Sequence, residues 1–180
     1  TADLHSQQWY QEVAANLDAR HVGIDPETGF RTIGGYWNLL SAAAGLLNII
    51  TITGLGKIIV TSPGKRFVRG LIWVDMVWPW VIAYDLWNHA FLYNSLADYT
   101  WYCTLALLLA CTIPAFFIKR GAYAQHRVRT LAVNMIVTMT APWFFLHPSF
   151  IVHSTNRPEA HMTISVIALL FNIGVFAYQA

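Results

Sequence analysis

Two aspartates stand in apolar surroundings, Asp75 and Asp85, both within the tryptophan-rich run 71–89. The other seven of the nine acidic residues fall in polar segments. A charged side chain at the centre of a bilayer costs at least ~2.5 kcal/mol on the insertion scale, so such a residue is neutralised, paired or exposed to internal water. Asp85, Asn88 and His89 occupy i, i+3 and i+4 and so share one helix face. That face can relay protons or hold a small polar solute. It can equally act as hydrogen-bonded glue between helices. Asp85 and His89, one turn apart, are weak candidates for a metal site. Two ligands do not make a site, and His147 and His161 fall too near the outer surface to supply a third, so no metal is favoured.

Other polar residues recur at helical spacing. Asn38, Ser41, Gly45 and Asn48 lie at i, i+3, i+7 and i+10, a stripe that lets a second helix approach closely. His126, Thr130, Asn134 and Thr138 recur every four residues. Thr104 and Cys111, and Ser165 and Asn172, offer matching groups further on. By direction of travel they form two layers, with Ser41, Asp85, Thr138 and Ser165 outward and Asn48, Asp75, Asn134 and Asn172 inward. The ligand or proton-relay candidates are therefore Asp85, Asn88, Asp75, Asn38, Asn48, Asn134 and His126. Pro79 predicts a kink four residues after Asp75. Trp73, Trp80 and Trp87 form a ridge that suits helix or lipid packing better than a cofactor pocket. A retinal Schiff base needs a lysine near mid-membrane, and Lys57, Lys65 and Lys119 all lie near the basic side. No covalent retinal is expected, and the cofactor, if any, is unknown from sequence.

Five apolar stretches position these residues, at about 32–60, 71–94, 99–118, 128–146 and 161–178. Each is near the ~20 residues that cross a ~30 Å hydrocarbon core. The expected fold is all-α, a polytopic membrane helical bundle of about five transmembrane helices over residues 33–180. Residues 1–32 form a polar outer segment holding five of the nine acids. Within it, Trp9, Val13 and Leu17 at i, i+4 and i+8 suggest a short amphipathic helix. Asp25-Pro26 and Thr28-Gly29 read as a turn.

Composition points the same way. Of 180 residues 56% are hydrophobic and only 11% charged, against about 25% charged in soluble domains. The net charge of +2 is no argument for nucleic acid. Eight of the eleven Lys and Arg lie in two regions, Lys57 to Arg69 and Lys119 to Arg129. These basic regions alternate with poor ones, which places the N-terminal segment outside and the C-terminus in the cytoplasm. Tyr36, Trp37, Tyr93, Tyr99, Trp101 and Trp143 would then form an outer aromatic belt. Cys103 and Cys111 lie ~12 Å apart along a helix, too far for a disulfide. The chain begins at Thr1 rather than Met, so either its start is processed away or it is part of a longer protein. The partners expected are the lipid bilayer and other membrane subunits or a missing N-terminal part.

The runs Gly35-Tyr-Trp-Asn38, Tyr84-Asp85-Leu-Trp-Asn88, Cys111-Thr-Ile-Pro114 and Gln125-His-Arg127 resemble an uncharacterised family of bacterial multi-spanning membrane proteins, a domain of unknown function. The resemblance covers roughly Gly34 to Tyr178 and leaves out Thr1 to Arg31. It implies a bacterial inner-membrane location. It also implies a fold of about seven helices, of which this chain shows the later five. An aromatic residue is expected where this chain has His89, which weakens the metal reading. The resemblance brings no activity, substrate or cofactor. Three functions follow in order: binding or conducting a small solute or proton, a structural role in a larger membrane complex, and a membrane metalloenzyme.

Overall fold

The computed structural model describes residues 21–24, 26–27, 30–53, 58–61, 70–147, 149, 151–152, 154 and 157–180. The amphipathic helix expected at Trp9 to Leu17, the basic loop around Lys65 and most of the turn at 25–29 lie outside them.

The fold is mostly helical, but it is not all-α. Strand β1, His21–Ile24, pairs antiparallel with β2, Arg31–Gly34. Strand β3, Ile58–Thr61, pairs antiparallel with β4, Gly70–Trp73. The β-branched run Ile-Ile-Val-Thr suits a strand better than a helix. The expected spans at 32–60 and 71–94 are therefore too long. Helix α1 covers only Trp37–Thr51, 15 residues, or ~22 Å.

Helix α2 runs Trp78–Ser95, with Pro79 in its first turn. This corrects the expected kink. In a first turn the missing N–H of proline is one that would have no intrahelical partner anyway, so no carbonyl is freed. Asp75 accordingly lies in the turn before α2, not inside a helix. A 3₁₀ turn, Ala97–Tyr99, and a π-helical turn, Trp101–Ala106, lead into α3, Leu107–Phe117. Helix α4 runs Tyr123–Thr140 and α5 Pro142–Leu146. The expected span 128–146 is thus broken at Ala141 (φ −137°, ψ 55°), because a residue before proline is pushed out of helical geometry. Helix α6 covers Pro158–Gln179. With 22 residues and a mean hydropathy of 1.9, it is the one described helix long and apolar enough to cross a membrane.

Helices α1, α2 and α6 form a three-helix core. The buried residues of α1 include Trp37, Ser41, Ala44, Asn48 and Thr51, and those of α6 are His161, Ser165, Ala168, Asn172 and Val175. Both sets step by four, three, four and three. Trp37 stacks on His161 with ring centroids 4.9 Å apart, and the Ser41 and Ser165 hydroxyls are 3.4 Å apart. The two helices therefore run parallel with a heptad seam between them, and the same register brings Asn48 level with Asn172. Antiparallel α2 closes the core, its Trp87 indole donating to the Ser41 carbonyl at 2.8 Å and Trp80 to that of Asn48 at 3.1 Å.

The ends of the core are distinct. At the start of α2, Trp73 N–H donates to the Gly121 carbonyl at 2.8 Å and Leu71 N–H to Gln125 Oε1 at 3.3 Å. Gly121 has φ +83°, and a Cβ there would meet the Trp73 carbonyl at 2.8 Å. This glycine lets the β3–β4 hairpin dock beside the α3–α4 turn. At the end of α2, Phe30 packs on Tyr99 at 4.7 Å, and Ser154 N–H donates to Asp98 Oδ1 at 3.0 Å. Two members of the expected aromatic belt are core residues instead, since Trp37 and Tyr99 are buried.

Candidate functional site

Asp85 sits in the middle of α2, where α3 and α4 come together against it. The Tyr123 hydroxyl donates to Asp85 Oδ1 at 2.7 Å, and the Thr112 hydroxyl donates to Oδ2. Position explains the convergence. Tyr123 opens α4 directly after the Gly121 turn, and Thr112 lies on the α3 face that meets α2. Trp80, Val81, Cys111, Ala115 and Tyr123 belong to one apolar cluster beneath the acid. Arg127, one turn after Tyr123, directs Nε to the Tyr84 hydroxyl at 3.5 Å. Its guanidinium carbon lies 5.9 Å from the centre of the Tyr84 ring, a cation–π placement. The positive charge of Arg127 is close enough to act on the Asp85 carboxyl. Arg127 Nη1 is buried with no hydrogen-bond partner among the described residues.

The other sequence candidates divide. Asn88 and His89 flank Asp85 on α2, half-buried, and neither Asn88 Oδ1 nor His89 Nδ1 has a hydrogen-bond partner among the described residues. The His89 ring lies 6.4 Å from that of Tyr93 and 6.5 Å from that of Trp101. Thr104, buried on the π-helical turn, also leaves its hydroxyl without a partner there. Asn38 and Asn48 line α1 on the far side of α2. Asn134 and His126 lie half-buried on α4, and the Asn134 carbonyl accepts from Thr138 within the same helix. Asp75 belongs to the β4–α2 turn. Asp85, Asn88 and His89 therefore share a neighbourhood, whereas Asp75, Asn38, Asn48, Asn134 and His126 are not brought to the acid by any hydrogen bond. Among the described residues no three His, Cys, Asp or Glu side chains cluster as a metal site would need.

Sequence reasoning missed Thr112 and Tyr123 as the partners of the acid, and counted Arg127 only as loop charge. The signal available was Tyr123 and Arg127 at i and i+4, which share a face.

It also missed Asn94 and His161 as members of a second polar cluster, having placed Ser41 and Ser165 in one outer layer. Asn94, fully buried, donates through Nδ2 to Ser41 Oγ at 3.0 Å and to Ser165 Oγ at 2.6 Å. Its Oδ1 lies 3.1 Å from His161 Nδ1. With the Asn94 amide hydrogens committed to the serines, His161 Nδ1 is the donor of that pair. Ser165 donates onward to the His161 carbonyl at 2.8 Å. This network ties three helices together, as a packing device does, and leaves His161 Nε2 without a partner among the described residues.

A mostly helical protein with an acid held at the junction of three helices, and a separate polar lock in its core, is the class that fold and site define. Residues 10–180 match DUF5692, a family of unknown function, and the chain belongs to that family. The match reaches back to residue 10, into the N-terminal segment that the resemblance had left out. No match was found among curated proteins or among solved structures.

Proposed function

We propose that this chain is a multi-pass membrane protein that binds or conducts a small solute or protons at Asp85. The observation that carries this reading is the acid itself. Asp85 receives two hydroxyl donors, lies under the influence of Arg127, and has beside it the unpartnered polar atoms of Asn88 and His89. The Asn94 amide, by contrast, has both its hydrogens and its oxygen engaged.

The membrane part draws support from an inverted distribution of polarity. Ser41, Asn94, Ser165 and Asn172 are fully buried, while Ile49 is 71% exposed, Met139 77% and Phe117 82%. Soluble proteins rarely expose contiguous apolar surface on this scale, whereas lipid-facing helices do so and place small and polar residues between them. Helix α2 falls short on apolarity through Asp85, Asn88, His89 and Asn94, residues on interior faces. The ends of the core agree with the charge pattern. Strands β3 and β4, which flank the first basic region in sequence, dock beside the α3–α4 turn, where the second begins, and this reading makes that end cytoplasmic. Cysteines placed at Ser62 and Ala124 should label from the cytoplasm and one at Ser154 from outside. Labelling of Ser62 and Ser154 from the same side would overturn the five-span arrangement.

The decisive experiment is Asp85→Asn in vesicles. Asn keeps the shape and accepts one hydroxyl, so the protein should fold and melt close to the parent, yet lose proton or solute flux. A folded variant with unchanged flux removes Asp85 from the mechanism. That outcome would favour the second reading, a structural subunit of a larger membrane complex. One observation favours it: of the eighteen residues of α4 only Tyr123 is buried, leaving a broad face for another chain. The native mass of the complex in mild detergent tests that reading.

A further inference from the structure

The helix that delivers Thr112 to Asp85 carries two interruptions, one on each side of that residue. The π-helical turn Trp101–Ala106 runs directly into α3, and Pro114 lies inside α3, two residues beyond Thr112. A π turn holds one residue more than an α turn, its bonds running from i to i+5, and such bulges are frequent at functional sites. Pro114 has no N–H, so it cannot donate to the Ala110 carbonyl as a helical residue would. The next N–H along, that of Ala115, stands at i+5 from Ala110, which is the pairing of a π turn. Residues 107–113 therefore lie between a turn that is wide and one that proline predisposes to widen.

A hydroxyl reports the same wide turn. Thr51, Thr100, Thr138 and Thr140 each donate to the carbonyl four residues back, at 2.7, 3.1, 2.8 and 2.7 Å. Thr104, in the middle of the wide turn, is buried, and its hydroxyl has no partner among the described residues. In a π turn the carbonyl at i−4 no longer stands where an α-helix puts it. Closing the turn to α geometry brings the Thr100 carbonyl within reach of Thr104. The wide turn thus forgoes one bond, that of Thr104, and gains another, the Thr112 bond to Asp85 Oδ2. One hydrogen bond stands on each side of the balance.

We propose that this π-helical turn is a register switch, whose widening migrates from residues 101–106 to Pro114 and exchanges Thr112 for Cys111 beside Asp85. The migration turns residues 107–113 by one position, which is ~100° and ~1.5 Å along the axis. Cys111, whose thiol donates to the Leu108 carbonyl at 3.1 Å, then takes the place that Thr112 leaves. Tyr123 and Arg127 on α4 and Tyr84 on α2 are not carried by the turning segment, so only the α3 partner of the acid changes. A thiol is a weak donor. Asp85 keeps the Tyr123 hydroxyl and has Oδ2 open for a proton or a solute. This consequence rests on the proposed role of Asp85, and the register change itself does not.

The S–H stretching band in the infrared spectrum of the full chain in lipid nanodiscs reads what Cys111 bonds to. Cys103→Ala leaves Cys111 as the only thiol and serves as the reference. Adding Thr112→Val removes the bond that holds the present register and should shift the ratio of registers about tenfold. The band should then move to lower frequency, as the thiol passes from a neutral carbonyl to a carboxylate. Deleting Cys103 instead takes out the extra residue, so the turn closes with Thr112 still on Asp85 and no widening is left to migrate. In that chain Thr112→Val should leave the band in place. Thr104→Val, which removes the gain of closing the turn, should reverse the shift that Thr112→Val causes in the reference, a comparison that does not depend on the deletion folding. A band that Thr112→Val does not move in the reference, or that Thr104→Val does not move back, would overturn the switch. Vesicle flux tests the consequence: the deletion should abolish flux while circular dichroism stays that of the reference, and a deletion chain that conducts normally separates the switch from transport and overturns that part. A shifting band in a reference chain without flux would overturn the role of Asp85 and leave the register switch standing.

Discussion

The two polar clusters of this protein lie on the same helix and are built in opposite ways. At the end of α2, Asn94 joins Ser41, Ser165 and His161 in a network whose amide group has every hydrogen and its oxygen engaged. At its middle, Asp85 gathers Thr112 and Tyr123 but stands next to Asn88, His89 and Arg127, each with a polar atom left unpartnered among the described residues. The first cluster lies within the three-helix core, where parallel α1 and α6 interdigitate. The second lies where the hairpin of α3 and α4 leans on that core by one face. An amide with every polar atom engaged contributes rigidity and no reactivity. An incomplete network around an acid has capacity left for a proton or a solute.

The comparison can be broken at its strong side first. Asn94→Leu should leave three polar partners without their bonds inside the core, at about 1–3 kcal/mol for each buried group left unsatisfied. A loss of roughly 3 kcal/mol or more in a chemical or thermal unfolding measurement is expected, and a parental melt would show that the lock carries no stability. Gly45→Leu acts on the same core through packing. A Cβ at Gly45 would already meet the Trp87 indole at 2.9 Å, so overpacking should destabilise by about 1–3 kcal/mol. Melting like the parent would mean that Trp87 swings away from the Ser41 carbonyl.

At the Asp85 side the effects on stability should be smaller and those on activity larger. Tyr123→Phe removes one donor to the acid and should destabilise by only about 1 kcal/mol, while altering the pH profile of flux. An unchanged profile would separate Tyr123 from the function. The smallest effect belongs to the outer face of the hairpin. Among the described residues Thr130 bonds only to the Arg127 carbonyl of its own helix, so Thr130→Val should change stability by no more than about 0.5 kcal/mol. A large loss there would reveal a partner chain seated on α4.

How far each cluster was legible follows from the range of the contacts involved. Asp85, Asn88 and His89 were legible because an acid in an apolar run is anomalous by itself, and because i, i+3 and i+4 define a face within one helix. The core lock was read only in part: the two layers put Ser41 level with Ser165 and Asn48 level with Asn172, but Asn94 was not among them. Ser41, Ala44 and Asn48 recur in the same spacing as Ser165, Ala168 and Asn172. Two identical short patterns 124 residues apart can be put at matching depths, but the sequence does not say that their helices are neighbours. Asn94, which binds them together, has no partner in its own helix to betray it.

By itself the sequence determined the mostly helical character, the apolar stretches, the two basic regions and the anomaly at Asp85, since each depends on composition or on neighbours within a few residues. Where the stretches end was decided by local geometry weighed against pairing across the fold. Residues 31–34, 58–61 and 70–73 became strands, Pro79 became a helix start, and Pro142 broke the fourth stretch at Ala141. Only the tertiary structure decided which hydroxyls meet the acid and which asparagine closes the core. Thr112 and Tyr123 lie 27 and 38 residues from Asp85. A hydrogen bond at that separation depends on how three helices are rotated about their own axes, and that rotation is fixed by the packing of all of them together.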